Sequence, residues 1–136
     1  MKRLVLIIFL YVSIFSFSQN KYNPKLNVKY SDEYLQKLSK DELRTLEFRL
    51  DNIYIIENNF KKNKTLPELY KINNFTKQII KKPLSSIDFN KFNILEYNFT
   101  QNYDTRNCYK IGNTGKTLII LSMKEYVDKL NKFKNL

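Results

Sequence analysis

Acidic side chains are the main candidates for catalysis, because the 136 residues contain no histidine and only one cysteine. The commonest general base, the Ser-His and Cys-His nucleophile pairs and the usual zinc sites are therefore missing. A glycosidase-like reaction would need two carboxyl groups about 5–9.5 Å apart, one of them shielded from water. Glu96 lies between Leu95 and Tyr97, and Asp104 follows it in a polar segment. We expect Glu96 at an exposed strand edge, so a histidine-free carboxylate hydrolase is the least favoured of three hypotheses.

The segment Gly112–Thr117 contains the Gly-Lys-Thr of a phosphate-binding loop. The full motif needs a glycine five residues before the Gly-Lys-Thr, and Lys110 occupies that position. A phosphate-binding loop also opens a helix, whereas Lys116 begins an apolar run typical of a strand. The segment instead predicts a hairpin turn. Because this motif is incomplete, we expect no nucleotide and no other cofactor. Because the chain also contains no histidine, we expect no metal site and no enzymatic activity.

Lysines beside aromatic or aliphatic residues are the second chemical signal. Such clusters can contact lipid headgroups, nucleic acid or acidic glycans. They can equally form a solvated face that surrounds an apolar core. The solvated face is favoured because arginine, which is better suited to phosphate recognition, is scarce in this chain. The candidate anion contacts are Lys61, Lys62, Lys64, Lys81 and Lys82.

Residues 1–18 have the pattern of a secretory signal peptide. Two cations precede the mostly apolar run 4–17, and Ser18 is followed by the polar Gln19. A bilayer-spanning helix needs about 20 apolar residues, so this run is short for a membrane span. We expect cleavage between Ser18 and Gln19 and export of the mature protein to the periplasm or the extracellular space, without an integral membrane span. An uncleaved N-terminal anchor is the alternative.

The mature chain, residues 19–136, is expected to be one small basic domain. Removal of the signal peptide lowers the formal net charge from +11 to +9. Its length is sufficient for a hydrophobic core without help from a metal or a disulfide. Cys108 cannot form an intrachain disulfide, and we expect a buried thiol, with an intermolecular bridge as the alternative.

Hydrophobic periodicity predicts an α+β fold. An extended arm over 19–30 leads to a short helix capped by Ser31. Two amphipathic helices, over about 40–60 and 65–82, are expected to pack as a helical hairpin. The first of them begins at a capping box formed by Ser39 and Glu42.

The C-terminal part of the chain predicts a small antiparallel three-stranded sheet and a closing helix. The expected strands cover 92–99, 108–111 and 116–121, and the last is apolar enough to be covered on both faces. A second capping box, formed by Ser122 and Glu125, begins the closing helix.

These features favour a small exported, non-catalytic protein that binds another macromolecule, most simply a protein. The ten tyrosines support this hypothesis because surface tyrosines are effective interface residues. A basic anion-binding module for lipid headgroups, nucleic acid or acidic glycan is the second hypothesis.

Overall fold

The computed structural model describes residues 21–58, 65–84 and 86–135, and its fold is α+β, as predicted. The α-helices within these residues are α1 (Asp32–Lys37), α2 (Lys40–Asn52) and α3 (Met123–Lys134). The strands within them are β1 (Tyr54–Asn58), β2 (Tyr70–Ile72), β3 (Ile79–Ile80), β4 (Tyr97–Asn98), β5 (Asn107–Lys110) and β6 (Lys116–Ile120). The predicted signal peptide with its Ser18–Gln19 cleavage site, and the candidate anion contacts Lys61, Lys62 and Lys64, lie outside the described residues. None of the described helices combines the length and apolar character needed to cross a bilayer.

Two three-stranded antiparallel sheets organise the strands. The first sheet has the order β1-β6-β5, and the second has the order β3-β2-β4. β6 is the central strand of the first sheet. Leu118 and Ile120 are buried on one of its faces, and Thr117 and Ile119 are buried on the other, which confirms that this strand is covered on both faces. Glu68 forms a parallel bridge with Lys110 at the outer edge of β5. Glu68 lies just before β2, so this segment links the edge of the first sheet to the second sheet.

The helices α2 and α3 begin at the capping boxes that the sequence predicts. The hydroxyl of Ser39 accepts a hydrogen bond from the amide of Glu42, while the Glu42 carboxylate accepts one from the amide of Ser39. Ser122 and Glu125 make the same reciprocal pair at the start of α3. Both capping boxes satisfy amides that a helix leaves unpaired in its first turn. Both predictions are confirmed.

The predicted helical hairpin is wrong in its second half and too long in its first. α2 ends at Asn52, and residues 54–58 form β1, where Tyr54 pairs with Ile120. The run from Ile53 to Ile56 is β-branched and aromatic, so it suits a strand once β6 offers a partner. Helical periodicity continues through this run, but pairing with a remote strand overrides it.

The chain over 65–82 contains a β-hairpin, over residues 70–80, in place of the predicted helix. β2 and β3 pair with Ile72 opposite Ile79, and the turn between them carries Phe75. The side chain of Asn73 accepts hydrogen bonds from the amides of Phe75 and Thr76, which stabilises a turn rather than a helix. The predicted strand over 92–99 is also reduced, because only β4 is extended and residues 94–96 form a 3₁₀ turn. The third strand of the first sheet is β1 instead.

Residues 21–30 are part of the core rather than an extended arm. Pro24–Val28 forms a 3₁₀ turn, and Tyr22 and Leu26 are buried against Leu35, Leu43 and Leu50. This small cluster lies beside a larger one built on the first sheet and α3. Leu95 packs against both clusters, so the two are joined into one core.

Candidate binding groove

The catalytic candidates are not brought together. Glu96 is half-buried and forms an ion pair with Lys71, with 3.1 Å between the nitrogen and the carboxylate oxygen. It lines a small cavity that also includes Asp88, whose carboxylate lies 3.7 Å from the amine of Lys91. Asp104 is exposed in the loop before β5 and does not line that cavity. Both acids in the cavity have a lysine partner.

The remaining single-residue candidates also have defined positions. Lys81 and Lys82 follow β3 and are exposed to solvent. Cys108 lies on β5 and is partly exposed, so the prediction of a buried thiol is not met. Gly112 and Gly115 both have positive φ angles in the turn between β5 and β6, which confirms the predicted hairpin. Within the described parts of the chain, acidic residues and the cysteine form no cluster that could hold a metal ion.

The structure instead forms a groove of about 460 Å³ that the sequence did not reveal. It lies where the residues after the first 3₁₀ turn, helix α2, the β2–β3 turn and strand β4 meet. Three cations line it, contributed by separate segments of the chain, namely Lys29, Arg49 and Lys77. None of the described residues that line it is acidic. As far as the structure describes the chain, the groove therefore has a positive wall with no compensating carboxylate among its lining residues.

Among these three cations, Arg49 has the side chain that is most firmly held by its neighbours. It projects from α2, and its guanidinium donates a hydrogen bond to the side-chain oxygen of Gln101 at 3.3 Å. The side-chain nitrogen of Gln101 in turn donates to the carbonyl oxygen of Leu121. The guanidinium also lies 5.7 Å from the ring centre of Tyr126, within range of a cation–π contact. These contacts fix a planar donor that can pair with a carboxylate through two hydrogen bonds.

The other two cations are held by the backbone on either side of the groove. Lys29 follows the first 3₁₀ turn, and its amine lies 5.9 Å from the ring centre of Tyr30. Lys77 has a φ of 57°, an uncommon conformation for a lysine. Its amide donates to the carbonyl oxygen of Asn73 at 2.8 Å, which closes the β2–β3 turn. The folding of this turn therefore places Lys77 at the groove.

Apolar side chains form much of the remaining part of the groove, beside the side chains of Asn74, Asn98 and Gln101. Ile72, Leu95 and Phe99 line it and are half-buried. Tyr97 also lines it, and burial, reinforced by the negative charge of Glu96, raises the pKa of its hydroxyl to about 12. Tyr97 is therefore neutral at physiological pH and adds no negative charge. A ligand that combines an anionic group with an apolar portion would match both parts of this surface.

Sequence reasoning missed Lys29 and Arg49 as functional candidates, and it assigned Lys77 to a helix. The sequence pattern places Arg49 in the first of the two predicted helices and Lys29 in the extended arm. These residues come together only when the β2–β3 hairpin and the 3₁₀ turn fold against α2. No spacing of residues in the sequence indicates that these three cations lie close together in the fold.

No protein family model, curated protein sequence or solved structure matches this chain.

Proposed function

We propose that this chain is an exported, non-catalytic protein that binds a protein partner in the cell envelope or the extracellular space through the groove. The observation that supports the proposal is the convergence of Lys29, Arg49 and Lys77 beside apolar side chains, with no acidic residue among the described residues that line the groove. Cations left without a carboxylate beside apolar surface suit an incoming anionic segment. The partner should therefore present an acidic side chain next to an aliphatic or aromatic one.

Electrostatic complementarity gives such an interface its specificity and speed of association. A carboxylate on the partner could take two hydrogen bonds from Arg49, and the neighbouring lysines would steer its approach. The apolar side chain beside it would contact Leu95 and Phe99. Because Arg49 is already oriented by Gln101, less side-chain freedom is lost on binding.

A basic anion-binding module is the second candidate, and the same three cations favour it. Binding driven by charge alone should disappear as ionic strength rises, because exposed charges are screened beyond about 8–10 Å in 0.1–0.15 M salt. Binding that also uses the apolar side chains of the groove should persist in part. A titration over ionic strength with the isolated ligand therefore separates the two candidates.

Affinity capture from the native cell envelope tests the main proposal. Mature protein carrying both Lys29→Glu and Lys77→Glu is compared with wild type and with Lys129→Glu/Lys132→Glu, which makes the same charge change on the exposed face of α3. We expect the groove variant to lose a partner that the α3 variant retains. Equal loss in both variants would show non-specific charge attraction, and retention in both would exclude the groove.

Export is tested on the native protein itself. The N-terminus of the protein recovered from the envelope or the medium is determined by mass spectrometry, and we expect it to begin at Gln19. A protein that retains residues 1–18 would support the N-terminal anchor instead.

A further inference from the structure

The hairpin formed by β2 and β3 carries an unusual amount of exposed apolar surface. Phe75 at its turn is 96% exposed, and Ile79 and Ile80 are 44% and 43% exposed. These three residues are here called the hairpin tip. They make up half of the six large hydrophobic side chains that are exposed within the described residues. Such a concentration in so short a segment points to a surface that is covered by something else.

The apolar residues of the hairpin tip point in opposite directions. Ile79 pairs with Ile72, and Ile80 pairs with Lys71, so the two isoleucines lie on opposite faces of the hairpin. β3 is also the edge strand of the second sheet as described. A flat protein surface placed against one face would leave the other isoleucine in water. A lipid interface surrounds an inserted hairpin and covers both.

The charge around the hairpin tip is complementary to an anionic bilayer. Residues 70–83 include four lysines and no acidic residue. Lys71 is paired with Glu96, whereas Lys77, Lys81 and Lys82 are exposed beside the tip. Lysines close to an anionic membrane each strengthen binding roughly fivefold. Lys77 also lines the groove, but Lys81 and Lys82 do not.

The turn holds Phe75 outward. The side-chain oxygen of Asn73 accepts from the amides of Phe75 at 2.9 Å and Thr76 at 3.1 Å. The backbone of Asn73 also pairs with Gln78 and Lys77 across the turn. The phenyl ring is therefore presented from an ordered turn, so little conformational freedom needs to be lost when it enters another phase.

We propose that the β2–β3 hairpin is a peripheral membrane-docking element for anionic lipid surfaces. Phe75, Ile79 and Ile80 enter the boundary between headgroups and acyl chains, while Lys81 and Lys82 contact lipid phosphates. Insertion stops at this depth because the outer edge of β3 carries backbone groups that need water or headgroups as hydrogen-bond partners. The hairpin tip, Lys81 and Lys82 do not line the groove, although other residues of the hairpin do, and the proposal does not depend on the groove.

Vesicle sedimentation with the mature protein tests the docking. Phosphatidylcholine vesicles are compared with vesicles that also contain phosphatidylglycerol, at physiological ionic strength. We expect binding to the anionic vesicles, about tenfold weaker partitioning for Phe75→Ser, and at least as large a loss for Lys81→Gln/Lys82→Gln. Tyr103→Ser removes a ring that is 72% exposed on a different loop, and it should partition as wild type does. Absence of binding by the wild type would overturn the proposal.

Insertion can be measured separately from binding. The chain contains no tryptophan, so the fluorescence of a single introduced tryptophan reports only its own surroundings. The Phe75→Trp variant should show a blue shift of its fluorescence on anionic vesicles, and Tyr103→Trp should not. Binding with no shift would mean headgroup electrostatics alone and would contradict insertion. If Phe75→Ser abolishes capture of the envelope partner while no variant binds vesicles, the hairpin tip fits a protein pocket and the membrane proposal fails. The capture experiment with the Lys29→Glu/Lys77→Glu variant tests the proposed function only, so its failure would leave the membrane proposal unaffected.

Discussion

Arg106 and Glu125 form the best-aligned ion pair among the described residues. The guanidinium donates to both oxygens of the carboxylate, at 2.6 to 3.1 Å. The same carboxylate accepts from the amide and hydroxyl of Ser122 at the start of α3. The Arg106 hydrogen bonds, followed by those of Ser122, lower the pKa of Glu125 from 4.5 to about 2. One side chain therefore joins the loop before β5 to the closing helix.

Glu125→Gln should make stability less dependent on pH in acid. The pKa of Glu125 is lower in the folded protein than in the unfolded chain, so its contribution is complete above about pH 4.5 and is lost as the pH falls toward 2. Because the pair is partly exposed, we expect the variant to lose about 1 kcal/mol at pH 7. Urea unfolding at pH 7 and at pH 3 should show the difference from wild type shrinking at the lower pH.

Glu42→Gln is the matched control for this measurement. Glu42 closes the capping box of α2 with Ser39, whose hydrogen bonds lower the pKa of its carboxyl group, but it has no arginine partner among the hydrogen bonds and ion pairs described. Glutamine can also close a capping box. The Glu42 variant should therefore change less at pH 7 than the Glu125 variant. An equal change in both would assign the effect to the caps rather than to Arg106.

Gly112→Ala should destabilise the protein strongly. Gly112 has a φ of +49°, and a β-carbon there would overlap the carbonyl oxygen of Leu84. We expect a loss of about 3 kcal/mol from backbone strain and the steric clash together. Thermal unfolding followed by circular dichroism measures it. Gly115→Asn, at the other positive φ of the same turn, should lose less than about 1 kcal/mol because asparagine tolerates this conformation. A small effect of Gly112→Ala would contradict the close approach of Gly112 to the carbonyl oxygen of Leu84.

Among the elements, the β2–β3 hairpin depends most on one polar side chain. Asn73→Ala would remove both hydrogen bonds to the turn amides, each contributing about 1 kcal/mol. We expect faster amide hydrogen exchange at Asn73 and at the β2–β3 backbone pair, with little change in β6. Thr76→Ala, which loses only a 3.4 Å hydrogen bond to Gln78, should have a smaller effect. Acceleration throughout the protein would show that the hairpin does not open independently.

The elements that could be predicted are those specified by neighbouring residues. Both capping boxes and the Gly112–Gly115 turn depend on residues within three positions of each other, and all are present. β1 and the β2–β3 hairpin could not be predicted in the same way. Their isoleucines repeat with helical spacing, and only remote partners such as β6 and β4 select the strand. The groove depends on those same elements, so its cations were not identified together from the sequence.

At the scale of the whole molecule, residues 21–30 are a structural part of the fold. Tyr22 and Leu26 are buried, the amine of Lys25 donates to the carbonyl oxygen of Phe92, and the Asn93 side chain donates back to that of Lys25. The segment therefore contacts the same region as Leu95, where the two hydrophobic clusters meet.

Leu26→Ala should consequently lower the stability of the entire protein. Leu26 is 1% exposed, so the truncation leaves a cavity and should cost about 2–4 kcal/mol. Chemical unfolding followed by tyrosine fluorescence and by far-ultraviolet circular dichroism should give one coincident transition. Val28→Ala, at a half-buried position of the same segment, is the milder control. Separate transitions for the two probes would show that the clusters unfold independently despite Leu95.

The pairing of β1 with β6 has a consequence for the rate at which the protein folds. Tyr54 pairs with Ile120, which is remote from it in the sequence. Closing so long a loop costs chain entropy before the paired strands stabilise it, so sheets built from remote strands form slowly. The two capped helices depend on neighbouring residues and can form early, whereas the first sheet is complete only once this long-range contact is made.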